Sequence, residues 1–426
     1  MMKAAFYTLG CKTNQFETQA LERLMSDRGY SIVPFDEKAD VYIINTCSVT
    51  AVADKKSRNV IRRARGLSPD GIIAVCGCSA QNSEEEEIRD CGADIILGAD
   101  EKSRLPDLVE QFVKAGVYTI PDPSEKFDYM PAGGLAGRTR ALLKVQDGCR
   151  NFCSYCIIPY LRNRLLSLPV KDAAEEAARL EKEGYREIVV TGIEISSYGV
   201  DLAEKPTLLQ LLEAVCTAAP NTRIRLGSLE PRTVTEDWAK ALSRHSNVCP
   251  HFHLSLQSGC DRTLKDMGRR YNTQRYKESV EYLRKYFPDC AITTDLIVGF
   301  PGESDEDFAC TMDFLKDIKP AQVHIFPYSR RKGTKAYSRP NQLTRAQKEA
   351  RAKEASALCR ALRREYLESF TGKTLKVLFE QEKDGVFEGY STRYLPVFVK
   401  GKDLHNRICD VYITKAYSDK LSGEIR

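Results

Sequence analysis

A chain of 426 residues, 42% hydrophobic and 29% charged, is too long for one small core and has the composition of an ordinary globular protein of two or three domains. Its net charge of +5 is too mild to specify a partner, and no apolar run approaches the ~18 residues of a membrane-crossing helix. Met1 to Tyr7 run straight into a strand-like pattern with no signal-peptide anatomy, which predicts a cytoplasmic protein. Fifteen cysteines there argue for metal or redox chemistry, because cytosolic thiols stay reduced.

Residues 1–122 read as the first domain. Ala4 to Leu9 is a short apolar run ending in Gly10-Cys11, followed by a helical pattern through Leu21, Leu24 and Met25. Val41 to Ile44 makes a second strand ending in Asn45-Thr46-Cys47, and Lys55 to Ala64 a second helix. Ile72 to Val75 makes a third strand ending in Cys76-Gly77-Cys78. Alternation of this kind predicts a parallel sheet, whose sites lie beyond the carboxyl ends of its strands. Each strand delivers a Cys there: Cys11, Cys47, and either Cys78 or Cys76. That coincidence points to a three-thiolate cluster site. Cys91 and the leftover thiol read as buried and structural, and Glu84 to Glu87 as a solvated helix start. Tyr118 to Gly137, with three Pro and three Gly, reads as a linker.

The second domain, 138–343, opens on Leu142 to Val145 and then Asp147-Gly148-Cys149-Arg150-Asn151-Phe152-Cys153-Ser154-Tyr155-Cys156. Three thiolates spaced C-x3-C-x2-C can hold three irons of a cubane and leave the fourth open to an external ligand. A zinc knuckle would need a second C-x2-C downstream, which the chain lacks; three buried thiols are the other bland alternative. Five further strand patterns follow, each after a helix pattern: Glu187 to Val190, Arg223 to Leu226, His253 to Leu256, Ile292 to Val298 and Gln322 to Tyr328. Six β/α units predict an open barrel with its chemistry at the strand ends. The five His give no metal-spaced pair, and there is no phosphate-binding G-x-x-x-x-G-K-[ST] loop, so hydrolase and nucleotidase readings gain nothing.

Residues 330–364 carry twelve Lys or Arg against two Glu, a basic connector with an apolar stripe through Ala355, Leu358, Leu362 and Tyr366. The connector helix is expected over 344–370. From 371 to 426 the pattern changes to period-two runs at Leu375 to Phe379, Val386 to Tyr390, Pro396 to Val399 and Ile408 to Ile413, predicting a small antiparallel barrel.

With Tyr155 before its last Cys, the central loop resembles that of the radical S-adenosylmethionine (SAM) superfamily. Thr8 to Gln15, Asn45 to Thr50 and Gly77 to Gln81 resemble the amino-terminal domain of the methylthiotransferases, and Gly389 to Val397 the TRAM barrel appended to tRNA-modifying enzymes. The resemblance spans all three domains. Gly10-Cys11-Lys12-Thr13-Asn14-Gln15, Cys153 to Pro159 and His324 to Ser329 are similar to the tRNA threonylcarbamoyladenosine branch.

That resemblance implies two [4Fe-4S] clusters, a radical one on Cys149, Cys153 and Cys156 and an auxiliary one on Cys11, Cys47 and Cys78. It implies SAM as methyl donor and radical source, with cofactor contacts at Tyr155, Gly192, Glu194, Glu230 and Gln257. Glu194 departs from the His or Asn of relatives, and Asn163 stands where the family has a turn Gly. The implied activity is 2-methylthiolation of N6-threonylcarbamoyladenosine at position 37 in the anticodon stem-loop of tRNA, with an electron donor and a sulfur source as further partners and no membrane. Arg360, Arg363, Arg364, Tyr390 and Arg393 are the expected RNA contacts. Isopentenyladenosine tRNA, a ribosomal-protein aspartate, or a non-catalytic iron–sulfur tRNA-binding role are the alternatives.

Overall fold

Short apolar runs bury both faces by lining up in one sheet. In the computed structural model, which describes residues 1–120, 125–133 and 138–426, β1 (Lys3–Thr8), β2 (Ser31–Val33), β3 (Val41–Thr46), β4 (Ile72–Gly77) and β5 (Ile95–Ile96) form a parallel sheet in the order β2-β1-β3-β4-β5. Helix α1 (Lys12–Asp27) packs Phe16, Ala20, Leu21 and Met25 on one face, and α2 (Ala51–Leu67) packs Val60, Ile61 and Ala64 on the other. The chain turns to one side after β1 and returns to the other for β3, so the crevice of this sheet opens beyond the ends of β1 and β3. The two edge strands are too short for a sequence pattern to show. Of the expected linker, residues 121–124 and 134–137 lie outside the described residues.

The central unit is an open barrel of six parallel segments. Its inner wall runs β6 (Arg140–Asp147), β8 (Glu187–Gly192), β9 (Arg223–Leu226) with β10 (Ser228–Leu229), β11 (His251–Leu254), β12 (Ala291–Val298) and β13 (Gln322–Pro327); the short β7 (Leu166–Ser167) pairs antiparallel with β6. The third segment is interrupted at Gly227, so β9 pairs with β8 whereas β10 pairs with β11.

A 24-residue helix, Arg345–Glu368, capped by Thr344 and Gln347, lies along β13 and leads to the small barrel. There β14 (Thr374–Lys383), β15 (Val386–Ser391), β16 (Pro396–Lys400), β17 (Ile408–Ala416) and β18 (Leu421–Ile425) close in the order β14-β15-β16-β18-β17. The expected small barrel is antiparallel at every neighbouring pair but one, β16 and β18, which run parallel. A ring of five strands cannot alternate direction all the way round, so one neighbouring pair must run the same way. The basic connector is also less free than charge counting suggests. Arg351 is buried against Glu303, 2.6 Å away, and Arg331 against Asp54 and Ser48.

The first sheet is fixed to the central barrel by a buried charge cluster. Glu17 of α1 pairs with Lys102, with Lys144 of β6 at 3.0 Å and with Arg162 at 3.0 Å. Asp147 takes the same Lys144 at 2.5 Å and Arg162 at 2.8 Å. Burial alone would raise the Glu17 carboxyl, but Arg162, Lys102 and Lys144 hold it well below the ordinary carboxylate range. Its stabilising share is therefore complete above the unfolded value of ~4.3 and disappears only as pH falls through the depressed folded value. Glu17→Gln keeps the shape and leaves the buried cations short of a partner, so it is expected to cost roughly 3–5 kcal/mol in denaturant unfolding at neutral pH. A loss below ~1 kcal/mol would mean that the cluster does not hold the two units together.

Candidate functional site

The ends of β1, β3 and β4 are stapled together by side chains. Asn14 donates its amide to the carbonyls of Leu9 (2.7 Å) and Thr46 (2.9 Å), and Asn45 donates to the Asn14 carbonyl (3.0 Å). Thr46 Oγ1 donates to the Cys76 carbonyl (2.6 Å) and accepts from the Ala80 N–H (3.2 Å). These bonds bring Cys11, Cys47 and Cys78 to one edge, where Cys47 lies within electrostatic reach of both other thiols. Burial pushes the Cys47 thiol up to about 11. Cys78 Sγ accepts from Arg162 Nε at 3.4 Å, whereas Cys76 points into the hydrophobic core with Phe16 and Val41. Gly10 and Gly77 both adopt left-handed backbone, at φ +100° and +102°. A Cβ on Gly10 would sit 2.7 Å from Cys47 Sγ.

Across Arg162 lies the second set of thiols. The Arg162 carbonyl accepts the Cys149 N–H at 2.9 Å, so one residue touches both cysteine sets. The loop is pinned from several sides: Ser154 donates its N–H to the Met267 carbonyl (2.8 Å), and its own carbonyl accepts from Ala336 (2.7 Å). Phe152 takes the left-handed conformation, φ +48°, that the tight C-x3-C path requires. Burial raises the thiols of Cys149 to about 11 and of Cys156 to about 12. Arg269 donates to Cys153 Sγ at 3.2 Å and the Asn151 N–H to Cys149 Sγ at 3.5 Å. Desolvated thiols that accept N–H bonds and, among the described residues, meet no carboxylate hydrogen bond suit a cluster whose irons deprotonate them. Among the described residues no three His, Cys, Asp or Glu side chains converge to hold a single metal ion; ligands on separate corners of a cubane need no such convergence.

The other expected cofactor residues have mixed placements. Tyr155 packs in an apolar cluster with Met267, Phe300 and Tyr328. Glu194 accepts from Asn151 in the cysteine loop at 3.0 Å, and burial raises its carboxyl. Arg232 Nε donates to both carboxylate oxygens of Glu230, at 2.8 and 3.1 Å. Gln257 sits at φ +68°, a strained backbone of the kind concentrated at functional sites. A Cβ on Gly192 would meet the Gln146 carbonyl at 2.8 Å, so the neighbouring strand also needs its bareness. Asn163 is absent from the positive-φ residues, so its loop needs no glycine substitute.

Among the expected RNA contacts, Arg360 and Arg364 are exposed on the long helix. Arg363 is committed to Gln322 (2.7 Å) and the Asp419 carbonyl (2.9 Å). Tyr390 stacks on Tyr394 at 4.9 Å beneath Arg140, and Arg393 donates to the Asp289 carbonyl at 2.7 Å; both belong to the seam between the barrels. Sequence reasoning missed Arg269 and Lys102, which stand far from any motif, and Glu17, which lies just past Gln15 but whose partners are distant in sequence. It also missed three outward cation–aromatic pairs on the small barrel: Lys420 over Phe398 (4.4 Å), Arg426 over Tyr412 (4.1 Å) and Lys415 over Tyr417 (4.9 Å).

Comparison with known proteins bears on this geometry. A family described as the radical SAM superfamily matches residues 143–315, and one described as uncharacterized protein family UPF0004 matches residues 3–98. The chain is 37% identical to the threonylcarbamoyladenosine tRNA methylthiotransferase MtaB of Bacillus subtilis (strain 168), over 98% of this chain and 94% of that one. This chain belongs to the radical SAM methylthiotransferase family. It is also 34% identical to the tRNA-2-methylthio-N(6)-dimethylallyladenosine synthase of Clostridium tetani (strain Massachusetts / E88), over 99% of this chain and 96% of that one. A solved radical SAM methyltransferase, TsrM from Kitasatospora setae, shares the fold at a TM-score of 0.57 and 13% identity, over 91% of this chain and 81% of that one. Membership makes this methylthiotransferase an enzyme that uses a [4Fe-4S] cluster and SAM. Among the described residues no helix is long and apolar enough to cross a membrane.

The glycine geometry gives a test at the strand ends. Gly10→Ala is expected to lose roughly 1–2 kcal/mol to left-handed strain and more to the clash with Cys47. Gly29→Ala, at φ +83° with nothing within 4 Å of its Cβ, loses the strain alone. Equal losses in denaturant melts of the two variants would remove the close approach of Gly10 to Cys47.

Proposed function

We propose that this methylthiotransferase converts N6-threonylcarbamoyladenosine at position 37 of tRNA to its 2-methylthio derivative. The observation that carries the proposal is the pairing of two three-thiol sets across Arg162 in a chain matched almost end to end by a protein of that name. In this reading Cys149, Cys153 and Cys156 hold the radical cluster and Cys11, Cys47 and Cys78 hold an auxiliary one. What the radical cluster supplies when bound is the electron that cleaves SAM reductively, chemistry suited to an adenine C2–H that no side-chain base can remove.

The chain's own groups bind and orient. Arg269 and the Asn151 N–H direct hydrogen bonds at two thiols of the central loop, and Arg162 does so at Cys78. Glu194, beside Asn151, and Gln257, at the end of the inner wall, are the residues this reading assigns to SAM. Residues 1–122, 138–343, 344–370 and 371–426 then serve as auxiliary-cluster domain, radical core, connector and RNA-binding barrel. RNA is held by Arg360 and Arg364 together with the outward aromatics of the small barrel, whose rings suit unstacked bases. A reductant and a sulfur source come from outside the chain.

Anaerobic incubation with SAM, dithionite, sulfide and tRNA carrying threonylcarbamoyladenosine should yield the 2-methylthio nucleoside by mass spectrometry. Product on isopentenyladenosine tRNA alone would overturn the substrate assignment. Reconstituted Cys149→Ala/Cys153→Ala/Cys156→Ala protein should keep about four irons, since each cubane has its own cysteines. Cys78→Ala should abolish methylthiolation and leave reductive SAM cleavage measurable, while Cys76→Ala changes neither. Loss of all iron from the triple variant would leave a single cluster. Binding should weaken with salt by a log–log slope of up to roughly −0.9 per phosphate, and Arg360→Ala/Arg364→Ala should flatten it.

A further inference from the structure

Beside Cys11 the fold encloses a chamber of about 400 Å³ between α1, the inner face of β6, β8 and β9, and the small barrel. Lys12, Arg138, Arg140 and Arg225 line it, and Glu380 is the one carboxylate among its lining residues. Most of those cations are already engaged. Arg225 is buried against Glu187 at 2.7 Å and donates to the Thr392 carbonyl at 2.9 Å. Arg140 pairs with Glu380 at 2.7 Å and lies under Tyr390 and Tyr394. Arg138 has a carboxylate, Glu22, at 4.0 Å. Among the described residues Lys12, open to the chamber's solvent, makes no hydrogen bond and no ion pair, and Gln15 and Gln19 follow it along the chamber side of α1. Glu187 and Asp295 act on Lys12 only from a distance, so among the described residues no carboxylate contacts its ammonium.

The chemistry of the proposed substrate supplies one. In adenine, C2 and the carbon bearing N6 both flank N1, so a site that holds C2 against the cysteine loops must house the N6 group on the same edge. The threonylcarbamoyl group ends in a carboxylate and a hydroxyl; the dimethylallyl group ends in two methyls. We infer that this chamber receives the threonyl carboxylate and that Lys12 is the residue that selects it. The inference rests on the substrate reading above. A dimethylallyl group in the same chamber leaves Lys12 desolvated and unpaired, the kind of mismatch by which polar sites reject apolar analogues.

The test is a binding measurement on the full-length, anaerobically reconstituted protein. Fluorescent anticodon stem-loops would carry threonylcarbamoyladenosine, its threonine methyl ester, or plain adenosine. Wild type is expected to bind the acid roughly 10–100-fold more tightly than the ester, the range of a hydrogen bond to a charged group. Lys12→Gln should bring the two within about twofold, and Lys12→Arg should restore most of the preference, with iron content matched to wild type in both. A Lys12→Gln protein with full iron that still prefers the acid overturns the role of Lys12. Should the variant lose iron, the wild-type comparison of acid with ester still decides, and equal binding overturns the chamber's role. Methylthiolation of dimethylallyladenosine RNA in place of threonylcarbamoyladenosine RNA is a different failure, that of the parent reading, and shows in the nucleoside product rather than in the acid-to-ester ratio.

Discussion

The two cysteine sets meet across five charges, four of them buried and Asp147 nearly so. Two carboxylates, Glu17 and Asp147, face three cations, Lys102, Lys144 and Arg162, at the boundary between the first sheet and the central barrel. Burying charges costs several kcal/mol per ion unless each finds partners, and here each carboxylate meets at least two cations. The cluster has one more cation than it can neutralise internally. Arg162 directs that surplus, through Nε, at Cys78, while its carbonyl fixes Cys149. A group of fixed sign, already desolvated, is thus oriented toward a thiol.

How much of this the sequence reveals depends on whether the signal is local. The six cysteines are legible because three share one loop and the other three follow strand ends, so spacing and strand pattern suffice. The inner strands of both large sheets are legible for the same reason. Glu17 is not, since its partners lie 85, 127 and 145 residues away. The connector misleads in the opposite direction: its charge is plain in the sequence, but Asp54 and Glu303, which neutralise Arg331 and Arg351, come from other parts of the chain. Tyr390 and Arg393 look like an RNA surface on an isolated barrel and become a seam once that barrel is docked. Edge strands of two or three residues, such as β5 and β2, hold too few positions for a period to appear.

Docking of the small barrel is itself built from the inner wall. Arg223 and Arg225 of β9 share the buried carboxylate of Glu187, at 2.5 and 2.7 Å, and burial is outweighed there so that Glu187 falls to about 2. Their remaining donors reach the carbonyls of Tyr390, Ser391 and Thr392. The small barrel therefore closes the floor of the chamber beside Lys12, and what could pass for an appended module contributes a wall to the site.

Arg331 adds a last connection. It lies just beyond β13, at the exit of the central barrel, yet its guanidinium is buried against Ser48 and Asp54, one residue and seven residues after Cys47. The chain that begins in the first sheet and passes through the barrel is thus buckled back onto its start. A linear string of modules can shed its ends one at a time, but a closed circuit cannot. Opening any one joint exposes a charged group with no partner, so fraying of the first sheet is coupled to loss of the barrel's exit. Slow amide exchange should consequently be shared between β3 and β13, two strands that never pair.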